Sequence, residues 1–135
     1  MWNRTVWAWL DAAAHTAAER ALIDDLCTLV QAAGGMDPAP DKAGPGDSPD
    51  TVYMAAGVFA RALMAHRFPV IPAPGVDGAA HALAEQIVDA HGAGRPGQAR
   101  ALLATATPAL RAGALLSLAT ALYEGIRNDS AVFAE

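Results

Sequence analysis

The chain has 135 residues, a net charge of −5 at pH 7 and a hydrophobic content of 53%, to which 34 alanines contribute heavily. Its nine basic residues are scattered singly, which disfavours a nucleic-acid groove or an anionic membrane surface, because both need clustered lysine and arginine. The single cysteine excludes an internal disulfide and favours a reducing, cytoplasmic location.

The N-terminal segment, residues 5–33, has a helical pattern throughout, but its apolar face does not stay on one side. Val6 and Leu10 share one side of a helical projection, whereas Leu22 and Leu26 share a side nearly opposite. A single helix over this segment would therefore bury its two halves against different layers of the protein.

Two interpretations of this shift are open. Thr16 and Glu19 have the spacing of a capping box, which would start a second helix near residue 17. Alternatively, the alanine-rich surroundings keep one helix continuous until two glycines end it at residues 34 and 35. We favour the unbroken helix.

The tryptophans of the N-terminal segment predict an interface. Aromatic anchors are enriched where proteins contact one another. If the helix is unbroken, its first half faces away from the core of its own chain, and a second copy packed isologously would cover it. We therefore expect a homodimer, or another protein as partner. The predicted interface residues are Trp2, Val6, Trp7, Trp9 and Leu10.

Two loops follow from proline and glycine content. Residues 34–48 are rich in Pro, Gly and Asp and predict a mobile loop; the spacing of a calcium-binding EF-hand is absent. Residues 68–77 are apolar and proline-rich, so they are expected to pack across the helices rather than form one.

Four further helices are predicted at 49–67, 78–91, 97–106 and 108–127, and residues 128–135 are expected to be a frayed tail. The helix at 49–67 is apolar nearly all round, and the helix at 108–127 carries no charge from residue 112 to 123, so both should lie at the centre. The second helix places Leu118 and Leu122 on one face and Ser117 and Thr120 on the opposite face. The sequence thus predicts an all-α, single-domain bundle of about five helices. No apolar stretch approaches the ~20 residues of a membrane span.

Two histidines each precede a glutamate by four residues, which places both side chains on one helical face. Such pairs could ligate a metal if the fold joined them, but simple surface pairing is the favoured interpretation. These weak metal candidates are His15, Glu19, His81 and Glu85.

The other two histidines lie on apolar sides near helix C-termini, where an imidazole can bond a free carbonyl group. A small ligand would best be sought between them. The predicted pocket residues are His66, His91, Tyr53, Met64 and Phe68. Cys27 is an unpromising nucleophile, since Asp24 and Asp25 beside it raise a thiol pKa.

No phosphate-binding loop or catalytic motif occurs in the chain. We therefore expect a non-enzymatic helical protein–protein interaction module, such as an adaptor, regulator or assembly subunit, with no catalytic residue and no cofactor. A bundle that binds a small apolar ligand or cofactor is the second interpretation, and a metal-dependent enzyme using His and Glu ligands is the third. Eight arginines against one lysine suggest a GC-rich bacterial genome.

Overall fold

The computed structural model describes residues 2–33, 49–70 and 76–128. Within these ranges the chain forms seven α-helices and no strand, which confirms the predicted all-α class. The number exceeds five because the N-terminal segment forms three helices instead of one. The helices are α1 (Trp2–Ala13), α2 (Ala17–Arg20), α3 (Ile23–Ala33), α4 (Pro49–His66), α5 (Gly78–Gly92), α6 (Pro96–Thr105) and α7 (Pro108–Asn128).

The prediction of one unbroken N-terminal helix is wrong, and the capping box explains why. Thr16 has an extended backbone, and its hydroxyl accepts a hydrogen bond from the Glu19 N–H at 3.1 Å. The Glu19 carboxylate accepts in return from the Thr16 N–H at 3.2 Å. These bonds satisfy N–H groups that a new helix leaves free, so they offset the backbone bonds lost at the break.

The break brings both apolar faces of the N-terminal segment into one core. Val6 and Leu10 of α1 are fully buried, and so are Leu26 and Val30 of α3. The expectation that Val6 and Leu10 face away from their own chain is therefore wrong. The chain turns between the two helices, so faces that were opposed along one axis point to the same interior.

The helices α4 and α7 lie at the centre, as predicted. α7 packs against α3, α4 and α5, and its Leu118 and Leu122 are fully buried. Its expected polar face is also covered, since Ser117 and Thr120 are buried. The Thr120 hydroxyl donates to the Leu116 carbonyl oxygen at 2.8 Å, which allows this polar side chain to lie inside the protein.

Close approach between α5 and α7 depends on Gly113. A Cβ atom at this position would lie 2.7 Å from the Cβ of Ala80, closer than two such atoms can pack. The two helices therefore meet at small residues on both sides, which lets their backbones approach.

The segment after α4 leaves the helix at Arg67, whose φ of 58° is rare for a residue with a side chain. Residues 68–70 are not helical, and Phe68 packs against α7, where Gly125 leaves space for its ring. This part of the predicted apolar loop does cross the helices. The predicted mobile loop at 34–48, residues 71–75 and the tail from residue 129 lie outside the described residues. None of the described helices is both long and apolar enough to cross a membrane.

Candidate interaction surface and polar network

A buried ion pair ties the corner between α1 and α2 to α4. The Arg61 guanidinium donates through Nε to the Ala13 carbonyl oxygen at 2.8 Å and through Nη2 to Glu19 Oε2 at 2.6 Å. The second Glu19 oxygen accepts from the His15 N–H at 2.7 Å. Arg61 thus satisfies the last carbonyl of α1, while the Glu19 carboxylate accepts from the N–H groups of the two residues that precede α2.

The pair extends to His91 of α5. A Cβ atom at Gly57 would lie 3.3 Å from Arg61 Nη1 and 3.5 Å from His91 Cε1, so this glycine provides the space in which the two side chains meet. Gly57 lies in the middle of α4, where a glycine costs about 1 kcal/mol relative to alanine and can mark the close passage of another backbone. The neighbours are side chains instead.

The pKa values of Glu19 and His91 follow from burial and from the charge of Arg61. Burial is the largest influence on Glu19 and opposes ionisation, but the Arg61 hydrogen bond, the backbone donors and the Arg61 charge outweigh it and lower the pKa of Glu19 below 4.5. The pKa of His91 is lowered from 6.5, first by burial and then by Arg61, and Glu19 only partly offsets this. At neutral pH the network therefore contains a carboxylate, a guanidinium and a neutral imidazole.

Tyr53 joins this network at its outer end. Its ring lies 6.3 Å from the His91 ring between centroids, and the Arg100 guanidinium lies 5.4 Å from the Tyr53 centroid. Arg100 also donates to Asp50 at 2.7 Å. His91 Nε2 is shielded from solvent and has no hydrogen-bond partner among the described residues.

The other predicted pocket residues form a separate aromatic cluster. Trp9 stacks on His66 with centroids 3.5 Å apart and planes inclined by 9°. Phe68 lies 5.7 Å from the Trp9 ring and 5.6 Å from the His66 ring. Met64 packs instead toward Gly92, at the end of α5. The structure therefore divides the five predicted pocket residues, and Trp9 belongs to a contact within its own chain.

The predicted pairing of His81 with Glu85 is confirmed, since Nε2 and Oε1 are 3.2 Å apart. On the other side of the ring, Nδ1 lies 3.3 Å from Ser117 Oγ. A serine, a histidine and a glutamate in series suggest a nucleophile and its base, but Ser117 is completely buried in the middle of α7. No substrate can reach it, so these contacts connect α5 to α7.

The two His/Glu pairs are not brought into one metal site. Glu19 bonds Arg61, and His15 contributes its backbone N–H to Glu19 while the residue itself is exposed. No group of three or more His, Cys, Asp or Glu side chains within the described ranges could hold a metal ion. Cys27 is a poor nucleophile, because burial and then the Asp24 charge raise its pKa to about 11.

Among the described residues, the large apolar side chain that remains exposed to solvent lies on α1. Trp7 is 45% exposed and is the large hydrophobic side chain among them that remains open to solvent. Arg4 and Ala8 beside it are exposed, and the Asp11 side chain is 42% exposed. At 100° per residue these four residues span an arc of about 100°, turned away from Val6 and Leu10. This outer face of α1 comprises Arg4, Trp7, Ala8 and Asp11.

The structure places the predicted interface residues in different environments. Trp7 alone of the described candidates keeps a large exposed surface, since Val6 and Leu10 are buried and Trp9 is half-buried against His66. The side chain of Trp2 lies outside the described residues.

Sequence reasoning also missed two arginines with structural roles. Arg61 stands alone among apolar residues of α4, a position typical of a cation that pairs with a buried acceptor. Arg111, buried in α7, donates to the Leu103 and Ala106 carbonyl oxygens at 3.2 and 2.6 Å. It satisfies carbonyl groups at the end of α6, where a cation is favoured.

Comparison with models of protein families, with curated proteins and with solved structures found no match. The function must therefore be argued from the chain's own residues. Of the features described, Glu19, Arg61 and Ser117 have partners inside the protein, and the outer face of α1 is open to solvent.

Proposed function

We propose that this protein is a non-enzymatic helical interaction module that self-associates through the outer face of α1. The observation that carries the proposal is the exposure of Trp7 on a helix whose Val6 and Leu10 are buried. Tryptophan is the side chain most enriched among residues that dominate binding energy, and it is costly to leave in water.

The size of the expected effect can be estimated. An aromatic side chain buries up to about 250 Å², so the exposed 45% of Trp7 corresponds to roughly 100 Å². At about 25 cal/mol per Å², covering it contributes roughly 2.5 kcal/mol per protomer before the cost of association. An isologous dimer gains this twice.

The polar side chains inside the protein support a non-enzymatic role. Glu19 and Arg61 satisfy one another and the backbone around them, and Ser117 has no access to solvent. The single cysteine has a raised pKa, which keeps it a thiol at neutral pH. A chain with one such cysteine suits a reducing compartment, so cytoplasmic localisation is part of the proposal.

The test is the oligomeric state of the protein over about 1 to 100 μM, a range in which a weak specific dimer dissociates. Sedimentation equilibrium should show a concentration-dependent dimer for the wild type and a monomer for Trp7→Glu. Ala101→Glu adds the same charge at an exposed position of α6 and should leave the dimer intact.

Circular dichroism of each variant checks that helicity is retained, because part of the Trp7 side chain packs on its own chain. A wild-type protein that stays monomeric throughout the range would refute the proposal. So would an Ala101→Glu variant that loses the dimer as completely as Trp7→Glu.

A further inference from the structure

The outer face of α1 is arranged symmetrically about its own middle. Arg4 lies three residues before Trp7, and Asp11 lies three residues after Ala8. The midpoint between Arg4 and Asp11 is therefore the midpoint between Trp7 and Ala8. Along the helix axis, the cation and the carboxylate are about 10 Å apart, with the large and the small side chain between them.

In an isologous contact, if residue i of one protomer meets residue j of its partner, then j also meets i. We propose that two copies of this chain pack α1 against α1 in antiparallel orientation, with Arg4 opposite the partner's Asp11, Trp7 beside the partner's Trp7 and Ala8 beside the partner's Ala8. This inference rests on the proposed function and adds the partner and the register.

Size and charge both favour this register. The two indole rings then pack together on one side of the interface, and the small Ala8 side chains on the other side let the two helices approach. The dimer then contains two such ion pairs, one on either side of the twofold axis. In a parallel arrangement, Arg4 would instead face the partner's Arg4, and Asp11 the partner's Asp11, which costs energy at both ends.

Asp11 is available for this contact. Its ionic neighbour among the described residues is Arg20 at 3.8 Å, and both side chains are more than 40% exposed. That distance is long for a hydrogen bond, so the carboxylate oxygens can accept from a second guanidinium. Arg4 is also exposed. Electrostatic pairs of this kind set which partner and which register is chosen more than they set the total affinity.

The register predicts a test by charge exchange. Arg4→Glu places two carboxylates opposite each other at both ends of the antiparallel dimer, and Asp11→Arg places two guanidinium groups there. Each variant alone should dimerise at least about ten-fold more weakly than the wild type. An equimolar mixture of the two variants should form a heterodimer. The carboxylate introduced in one chain then faces the guanidinium introduced in the other, while the native Asp11 and Arg4 still pair.

The double variant Arg4→Glu with Asp11→Arg should regain the homodimer in the same way. Neither change should unfold α1. Asp11→Arg loses the exposed contact with Arg20, and exposed ion pairs contribute at most about 1 kcal/mol. Arg4 lies in the first turn and Asp11 in the last, so both substitutions move charge in the direction that the helix dipole favours. Loss of the dimer in a single variant therefore cannot be attributed to an unfolded helix, and circular dichroism verifies this.

The outcomes separate the register from the underlying proposal. The antiparallel register would be overturned by single variants that dimerise like the wild type, or by a mixture that remains monomeric. In either case, loss of the dimer in Trp7→Glu would still show that the outer face of α1 is the interface. A wild type that never dimerises would overturn both. Loss of the homodimer in each single variant, with recovery in the double variant, supports the register, since parallel packing would leave like charges facing each other in the wild type and in all three variants alike.

Discussion

At the scale of single residues, two ion pairs of nearly equal length differ mainly in burial. Arg61 and Glu19 lie 2.6 Å apart with side chains 21% and 10% exposed. Arg100 and Asp50 lie 2.7 Å apart with side chains 60% and 75% exposed. Solvent screens the second pair, whereas removing one partner of the first leaves a buried carboxylate and a buried carbonyl group with unmet hydrogen bonds.

We therefore predict that Arg61→Ala lowers the free energy of unfolding by roughly 3 kcal/mol. Arg100→Ala is the matched control and should lower it by at most about 1 kcal/mol, even with the loss of its contact to the Tyr53 ring. Urea denaturation followed by circular dichroism measures both. Equal losses for the two variants would show that Arg61 does not hold the corner between α1 and α2.

The same network predicts how stability depends on pH. The pKa of His91 is lowered from 6.5 in the folded protein, so the unfolded chain binds a proton more readily than the folded one. Stability is therefore fully present above pH 6.5 and falls as the pH is lowered toward the folded pKa. The pKa of Glu19 is lowered from 4.5, so a further loss follows below that pH as the carboxylate is protonated.

The free energy of unfolding, measured by urea denaturation at a series of pH values, should thus decrease from pH 7 downward in two stages. His91→Gln removes the first group and should flatten the curve between pH 6.5 and 4.5 while leaving the later decrease. A wild-type protein that gains stability in the upper interval would contradict the assignment of a neutral, buried imidazole.

Some of the side-chain contacts have a local signal in the sequence, and others do not. The Glu19 cap and the His81–Glu85 pair could be predicted, because each is set by a spacing of three or four residues. The partner of Arg61 could not, since Glu19 lies 42 residues away in the chain. Only the packing of α4 against the corner brings them together.

At the scale of helices, the N-terminal segment shows how a cap overrides propensity. Alanine favours a continuous helix by tenths of a kcal/mol per residue, whereas the capping box and Arg61 together satisfy backbone groups on both sides of the break. The shift of the apolar face in the sequence did signal the turn. The choice between a turn and a continuous helix required the long-range contact to Arg61.

We predict that Thr16→Ala lowers the free energy of unfolding by about 1 kcal/mol, because the Glu19 N–H loses its acceptor. Thr28→Ala is the control, since the exposed Thr28 hydroxyl bonds only the Asp24 carbonyl within α3. It should change stability little or raise it slightly, as alanine is the better helix former. If both variants behave alike in thermal or urea unfolding, the cap does not stabilise the break.

The surroundings of α7 could be predicted only in part from the periodicity of its own residues. The face with Leu118 and Leu122 was predicted correctly from the spacing of leucines. The opposite face carries the polar residues of the helix, but α5 covers it and His81 reaches Ser117 there. A helix surrounded on several sides buries its polar face too, provided that the hydroxyl groups find acceptors.

At the scale of the whole molecule, the all-α class and the two central helices could be predicted because composition and apolar periodicity are properties of the chain alone. The exposed face of α1 could not be predicted, because it depends on which faces the fold itself covers. Turning α1 inward covers Val6 and Leu10 and leaves Trp7 with its charged neighbours outside. The proposed interaction surface therefore differs from the one that the tryptophans predicted.

The most direct test of self-association through this surface is cross-linking at Ala8 in a Cys27→Ala background. In the antiparallel register, the two Ala8 positions lie near the twofold axis, within the roughly 4 to 7 Å between Cα atoms that a disulfide spans. Mild oxidation of Ala8→Cys should yield a covalent dimer, and Ala101→Cys, exposed on α6, should stay monomeric. No covalent dimer from Ala8→Cys, or equal cross-linking at Ala101→Cys, would contradict the account.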